Sequence, residues 1–141
     1  MELNNTVFNW PMRVYYEDTD AGGVVYHANY LCFMERARTE WLRWLGFEQN
    51  QLRTEENWIF AVRRVLVNYL APARLDDQLQ VITQLTHLGR ASLKLQQQVQ
   101  HCDTNATLCT GEIQIACLSS PALRPCALPE ALHTRLCSHL R

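Results

Sequence analysis

Tyr30-Leu31-Cys32-Phe33-Met34-Glu35-Arg36-Ala37-Arg38-Thr39-Glu40-Trp41-Leu42-Arg43-Trp44-Leu45-Gly46 is the stretch on which the fold turns. Tyr30, Phe33, Met34, Ala37, Trp41, Leu42 and Leu45 recur at three- and four-residue steps. Glu35, Arg36, Arg38, Glu40 and Arg43 fill the opposite face, and Gly46 stands where a C-terminal stop belongs. The spacing predicts one amphipathic helix of about five turns. Upstream, Phe8 to Tyr16 alternates loosely and contains Val14, Tyr15 and Tyr16, which predicts a first strand. A polar turn carrying glycines, Glu17–Gly23, follows it.

Downstream of the helix, Glu48–Asn57 is short, polar and leans helical, and then the period changes to two. Trp58–Tyr69 is a β-rich run that stops before the turn Ala71-Pro72-Ala73. Leu79, Val81, Thr83 and Leu85 alternate with Gln78, Gln80 and Gln84, and Leu93, Leu95 and Val99 with Ser92, Lys94, Gln96, Gln98 and Gln100. Cys109, Ile113, Ile115 and Cys117 mark a last strand, with Gly111 on the same face as the expected site of a bulge. Turns fall at Leu88-Gly89-Arg90 and Asp103-Thr104-Asn105, so the three later strands are expected to form an antiparallel meander. A strand, a long helix and four strands make an α+β fold whose sheet buries one apolar face under the helix. The reading is of a single domain, 1–141, with its core at about 6–120. The tail, 121–141, carries three prolines and a short helix, Ala131–Leu140, with little chemical signal.

Composition narrows the function. The 141 residues include 13 Lys+Arg against 14 Asp+Glu, a formal charge of −1. That excludes a protein built to coat nucleic acid or an anionic membrane, which needs a large basic excess. No apolar run approaches the ~18–20 residues that cross a bilayer, so no membrane insertion is expected. Met1-Glu2-Leu3-Asn4-Asn5 has neither the basic nor the apolar region of a signal peptide, and the expected location is cytoplasmic. Cys32, Cys102, Cys109, Cys117, Cys126 and Cys137 form no CxxC pair, which points to buried hydrophobes rather than a metal site or disulfides.

The stretch from Tyr15 to Tyr30 carries the chemistry: Tyr15-Tyr16-Glu17-Asp18-Thr19-Asp20-Ala21-Gly22-Gly23-Val24-Val25-Tyr26-His27-Ala28-Asn29-Tyr30. Two aspartates stand in a tight loop, two glycines follow, and a histidine sits where the helix begins. A helix start offers unpaired N–H groups and a positive dipole end to a developing oxyanion. A nearby carboxylate can serve as general base or nucleophile. The same residue types also suit a helix cap, Asx turns and a terminal histidine with no catalytic duty, and local spacing does not separate the two readings.

The run Arg13–His27 resembles the signature of hotdog-fold acyl-CoA thioesterases of the 4-hydroxybenzoyl-CoA thioesterase type, and most closely their bacterial Tol–Pal-associated YbgC branch. Glu35-Arg36-Ala37-Arg38-Thr39-Glu40, Tyr69-Leu70-Ala71-Pro72-Ala73-Arg74-Leu75-Asp76-Asp77 and Arg124-Pro125-Cys126-Ala127-Leu128-Pro129 are similar to further blocks of that branch. The resemblance implies a curved antiparallel sheet of about five strands wrapped around one long helix. It implies an acyl-CoA thioester substrate, with Asp20 attacking the thioester carbonyl or activating water. Gly23 then lets the thioester approach, and His27 marks the helix start that polarises its oxygen. His27 follows the Tol–Pal branch, since the 4-hydroxybenzoyl branch has Tyr there. Asp18 and Thr19 hold the turn, while Tyr30 either lines the acyl pocket or packs the core.

Arg90 and Ser92, at the Gly89 turn, are the candidates for the CoA phosphates. Arg63 and Arg64 are expected on opposite strand faces and stay outside the site. Arg13, Arg36, Arg38 and Arg74 fall within the similar blocks and read as framework. Sites of this family form between subunits, so a homodimer or homotetramer is expected, and the chemistry calls for no cofactor. Two other functions fit the residue types: a catalytically quiet binder of acyl chains or acyl carrier protein tied to envelope or phospholipid machinery, and a 3-hydroxyacyl thioester dehydratase using His27 with a carboxylate.

Overall fold

The computed structural model describes residues 7–139. Along the chain run β1 (Val7–Arg13), a 3-10 turn (Tyr16–Asp18), α1 (Asn29–Trp44), α2 (Gln49–Glu56), β2 (Trp58–Tyr69), β3 (Gln78–Leu88), β4 (Ser92–His101), β5 (Thr107–Ser119) and α3 (Glu130–Cys137). All five strands pair antiparallel in the order β1-β3-β4-β5-β2. The expected β3-β4-β5 meander is therefore at the centre, with β1 and β2 as the two edges. Around α1 the sheet forms a hotdog. Leu79, Val81 and Leu85 of β3, Leu93, Leu95 and Val99 of β4, and Ile113 and Ile115 of β5 share one buried cluster with Phe33, Met34, Ala37 and Trp41 of α1.

The ends of the elements have local causes. The first strand stops at Arg13, short of the expected Tyr16, because the Val14 N–H bonds Asp77 O and the Tyr15 N–H bonds the Asp18 carboxylate. Helix α1 ends at Gly46, whose φ of 100° suits a residue with no Cβ. The tail packs: Leu128, Leu132 and Leu136 are buried in the same core, and the Leu128 N–H bonds Arg90 O. Among the described residues no helix is long and apolar enough to cross a membrane.

Two expectations about strand regularity need correction. Gly111 is no bulge, for it pairs in register with Val67 and Gln97. Its missing side chain makes room for the helix, since a Cβ there would stand 2.8 Å from Met34 Sδ. The irregularity in β2 falls instead between Val62 and Arg64, leaving Arg63 as the extra residue. Simple alternation breaks at that point, so Arg63 and Arg64 are not assigned to opposite faces by parity, and both are exposed.

Gln97, with Thr83 beside it, interrupts a largely apolar inner face, and it is fully buried. Its amide donates to Met34 O at 3.0 Å and to Thr83 Oγ1 at 2.9 Å. This joins α1 to β4 and β3 and satisfies a polar group that would be costly to bury alone.

Gly111→Ala is expected to lower stability by about 1–3 kcal/mol through overpacking, with Met34→Val in the same chain restoring part of it. An unchanged urea midpoint for Gly111→Ala contradicts this packing. The buried thiols set a pH limit. Burial pushes Cys109 up to about 11 and, aided by nearby Cys126, Cys117 up to about 12, from an ordinary 9.0. The folded chain keeps protons that the unfolded chain releases, so stability is full below pH 9 and falls as pH rises toward 11–12. Unfolding midpoints from pH 8 upward check it: a Cys109→Ala, Cys117→Ala chain must show the shallower decline.

Candidate active site

Strand register puts Arg13, Gln78, His101, Thr107 and Tyr69 at one end of the sheet. Here the loop 14–28, the start of α1 and the loop 70–77 converge. Val25 N–H bonds Ala73 O at 2.8 Å, and Val24 bridges to Arg74. Asp18 is buried and organises the loop: Oδ2 accepts from Tyr15 N–H and Oδ1 from Asn29 Nδ2, both at 2.9 Å. The second bond ties the loop to the first residue of α1. Thr19 Oγ1 donates to Tyr16 O, so Asp18 and Thr19 hold the turn.

Asp20 is placed differently. It is exposed, and its Oδ1 accepts from the Gly22 N–H at 2.8 Å in an Asx turn. Gly23 has φ of 80° and closes the turn by donating to Asp20 O. Asp20 Oδ2 has no hydrogen-bond partner among the described residues. Asp20 lines a cavity of about 370 Å³ together with Val25, His27, Tyr30, Tyr69 and Pro72. The fold thus brings Asp20, His27 and Tyr30 to one cavity, with Gly23 in the turn beside it.

His27 is exposed and stands two residues before the first residue of α1, with Ala28 between; the N–H groups of His27 and Ala28 have no backbone acceptor among the described residues. Free donors and the positive dipole end coincide there. Tyr69, not singled out from the sequence, donates its hydroxyl to His27 O at 3.0 Å and sets its ring edge-on to the imidazole. Asn29 is the other residue that sequence reading passed over. Its only signal was its place at a helix start, where Asn is a common cap. Tyr30 faces both the core and the cavity. It is buried against Phe33, it lines the cavity, and its hydroxyl accepts from the Ala73 N–H at 3.0 Å. Burial, opposed by that bond, raises the Tyr30 hydroxyl above its ordinary value, so it stays neutral.

Arg90 and Ser92 do not join these residues within one chain. They follow Leu88 at the opposite end of β3, beside Ser119 and Trp58, so the full length of the sheet separates them from Asp20. At about 3.3 Å per residue, that is some 30 Å. A second cavity, of about 410 Å³, lies between α2 and the start of β2, lined by Gln49, Asn50, Arg53 and Trp58 among others. It holds no carboxylate or imidazole. No group of three His, Cys, Asp or Glu among the described residues can hold a metal.

Residues 14–136 match the thioesterase-like superfamily. The chain belongs to that family. It is 47% identical to the acyl-CoA thioester hydrolase YbgC of Escherichia coli over 92% of this chain and 96% of the relative. A solved probable thioesterase from Bartonella henselae is 36% identical, with a TM-score of 0.82 over 87% of this chain and 99% of that one. A 1,4-dihydroxy-2-naphthoyl-CoA thioesterase from Synechocystis, 21% identical, shares the fold with a TM-score of 0.87 over 93% and 96%.

The two aspartates of the loop are expected to behave oppositely. Asp18→Ala removes a buried carboxylate that holds two part-buried donors, and lowers stability by about 1–3 kcal/mol. Asp20→Ala, at an exposed position, changes it by no more than roughly 0.5 kcal/mol. Thermal or urea unfolding of the pair checks this, and equal losses would contradict the division of labour.

Proposed function

We propose that this chain hydrolyses acyl-CoA thioesters, with Asp20 supplying the carboxylate. The observation that carries the reading is the single cavity that Asp20 shares with the start of α1 at His27. In this mechanism the thioester carbonyl oxygen lies against the N–H groups of His27 and Ala28. The helix dipole and those donors stabilise the negative charge that develops on it. The free Oδ2 of Asp20 either takes a proton from the attacking water or attacks the carbonyl carbon itself. In the second case the C–S bond breaks to release the CoA thiolate, and water then hydrolyses the mixed anhydride to regenerate Asp20. Both routes end in free acid and CoA, and neither needs a metal or cofactor.

A homodimer is the minimum assembly in this proposal, and a homotetramer is a dimer of dimers. Support comes from β2, an edge strand of twelve residues with Val62 (49%), Val65 (38%) and Leu66 (43%) exposed. Antiparallel pairing of β2 with its copy about a two-fold reverses the second sheet. The partner subunit's Arg90 and Ser92 then arrive at the Asp20 end, where the CoA phosphates need a cation. We place this activity in the cytoplasm, within the Tol–Pal-associated branch. Acyl carrier protein is a second acyl donor that presents the same thioester.

Thiol release from a panel of acyl-CoAs tests the proposal. Asp20→Ala is expected to reduce turnover by ~10²-fold to 10⁴-fold. Full turnover by that variant, or formation of enoyl-CoA without thiol release, would overturn it.

A further inference from the structure

The flank of α1 that faces β2 carries Leu31, Glu35, Arg38 and Leu42, spaced three and four residues apart. Opposite it, β2 turns Tyr69, Val67, Val65, Val62 and Phe60 inward, because these residues pair with the inward-facing residues of β5. At one end of the space between the two walls lies the Asp20 cavity, where Tyr30 and Tyr69 meet, their ring centroids 5.6 Å apart. Farther along lies a separate small cavity of about 110 Å³, walled mainly by Phe60, Val62, Leu95, Ile115 and Trp41, with Gln49 of α2 also in its lining. Arg38, half-buried, borders this cavity.

Among the described residues Arg38 makes one hydrogen bond, Nη1 to Gln97 Oε1 at 3.0 Å. Both amide protons of Gln97 are committed, to Met34 O and Thr83 Oγ1, so its oxygen is the atom that faces Arg38. Glu35 lies in the same lining, but it is exposed and its Oε2 accepts from Thr39 Oγ1. Arg38 therefore keeps donors without hydrogen-bond partners among the described residues beside a mainly apolar cavity, where burial, opposed by the charge of Glu35, lowers its proton affinity.

Resting on the thioesterase reading above, the geometry points to Arg38 as the residue that reads the far end of the acyl group, favouring one that carries an acceptor oxygen there. From Ala28 to Arg38 the helix rises about 15 Å, and the arginine leans back toward the helix start. An extended chain gains about 3.5 Å per three bonds, so an acyl group of roughly ten carbons reaches the guanidinium. A carboxylate or hydroxyl at that point takes the free donors. A plain methyl end leaves them stranded.

The test compares decanoyl-CoA with its ω-hydroxy and ω-carboxy counterparts, on the wild-type chain and on Arg38→Met. Wild type is expected to favour the oxygenated substrates by about tenfold or more in kcat/KM, the value of a hydrogen bond to a charged group. Arg38→Met should erase that ratio while still turning over decanoyl-CoA, and Arg38→Lys should keep part of it. A ratio that Arg38→Met leaves unchanged, or a wild type that prefers the plain chain, overturns the assignment. Absence of hydrolysis on every substrate by the wild type instead overturns the thioesterase reading itself.

Discussion

Gln97 sits at the centre of the sheet with its amide wholly enclosed, donating to a carbonyl of α1 and to Thr83 on the next strand. Such a group costs free energy wherever its partners are missing. The helix is therefore held at one height and one rotation over the sheet, whereas apolar packing alone tolerates sliding. Gly111 acts in the same place by letting Met34 sit close to β5. Between them the two residues determine where α1 begins. That start lies at the sheet end where the Asp20 turn and the 70–77 loop converge, and the candidate chemistry depends on this coincidence.

A second consequence concerns the side of the helix left without cover. Because α1 lies mainly over β3, β1 and β4, a gap is left between its β2-facing flank and the inner face of β2. The same Gln97 that fixes the helix also aims an acceptor at Arg38. The placement of the helix and the position of Arg38 thus share one buried amide.

Most of the architecture was legible because it rests on periodicity. The apolar steps from Tyr30 to Leu45 and the alternation in β3, β4 and β5 survive into the structure as helix and meander. The Asp18–Asp20 turn was legible as a turn, and the family resemblance separated Asp20 from Asp18, but no local spacing showed which aspartate faces a cavity. Asp18 is enclosed by bonds to Tyr15 and Asn29, while Asp20 is left open by a bend at Gly22 and Gly23. Parity failed where the chain inserts a residue at Arg63, and a glycine on an inner face was taken for a bulge when it makes space for a methionine. Tyr69 and Arg38 stayed hidden because their roles come from long-range register. Each lay in a block that resembles the family, yet no local pattern separates a strand-end tyrosine or a helix arginine from framework. Arg90 illustrates the opposite limit: within one chain it lies at the end of the sheet away from Asp20, and a role beside Asp20 rests on the proposed dimer.

The central claim is that the thioester is held at the start of α1 in front of Asp20. A crystal structure of the Asp20→Ala chain with an unreacted acyl-CoA measures this directly. The account predicts the thioester oxygen about 3 Å from the N–H groups of His27 and Ala28, with the acyl group running along the gap between α1 and β2. A thioester seated instead in the cavity between α2 and β2, beside Gln49 and Trp58, would contradict it.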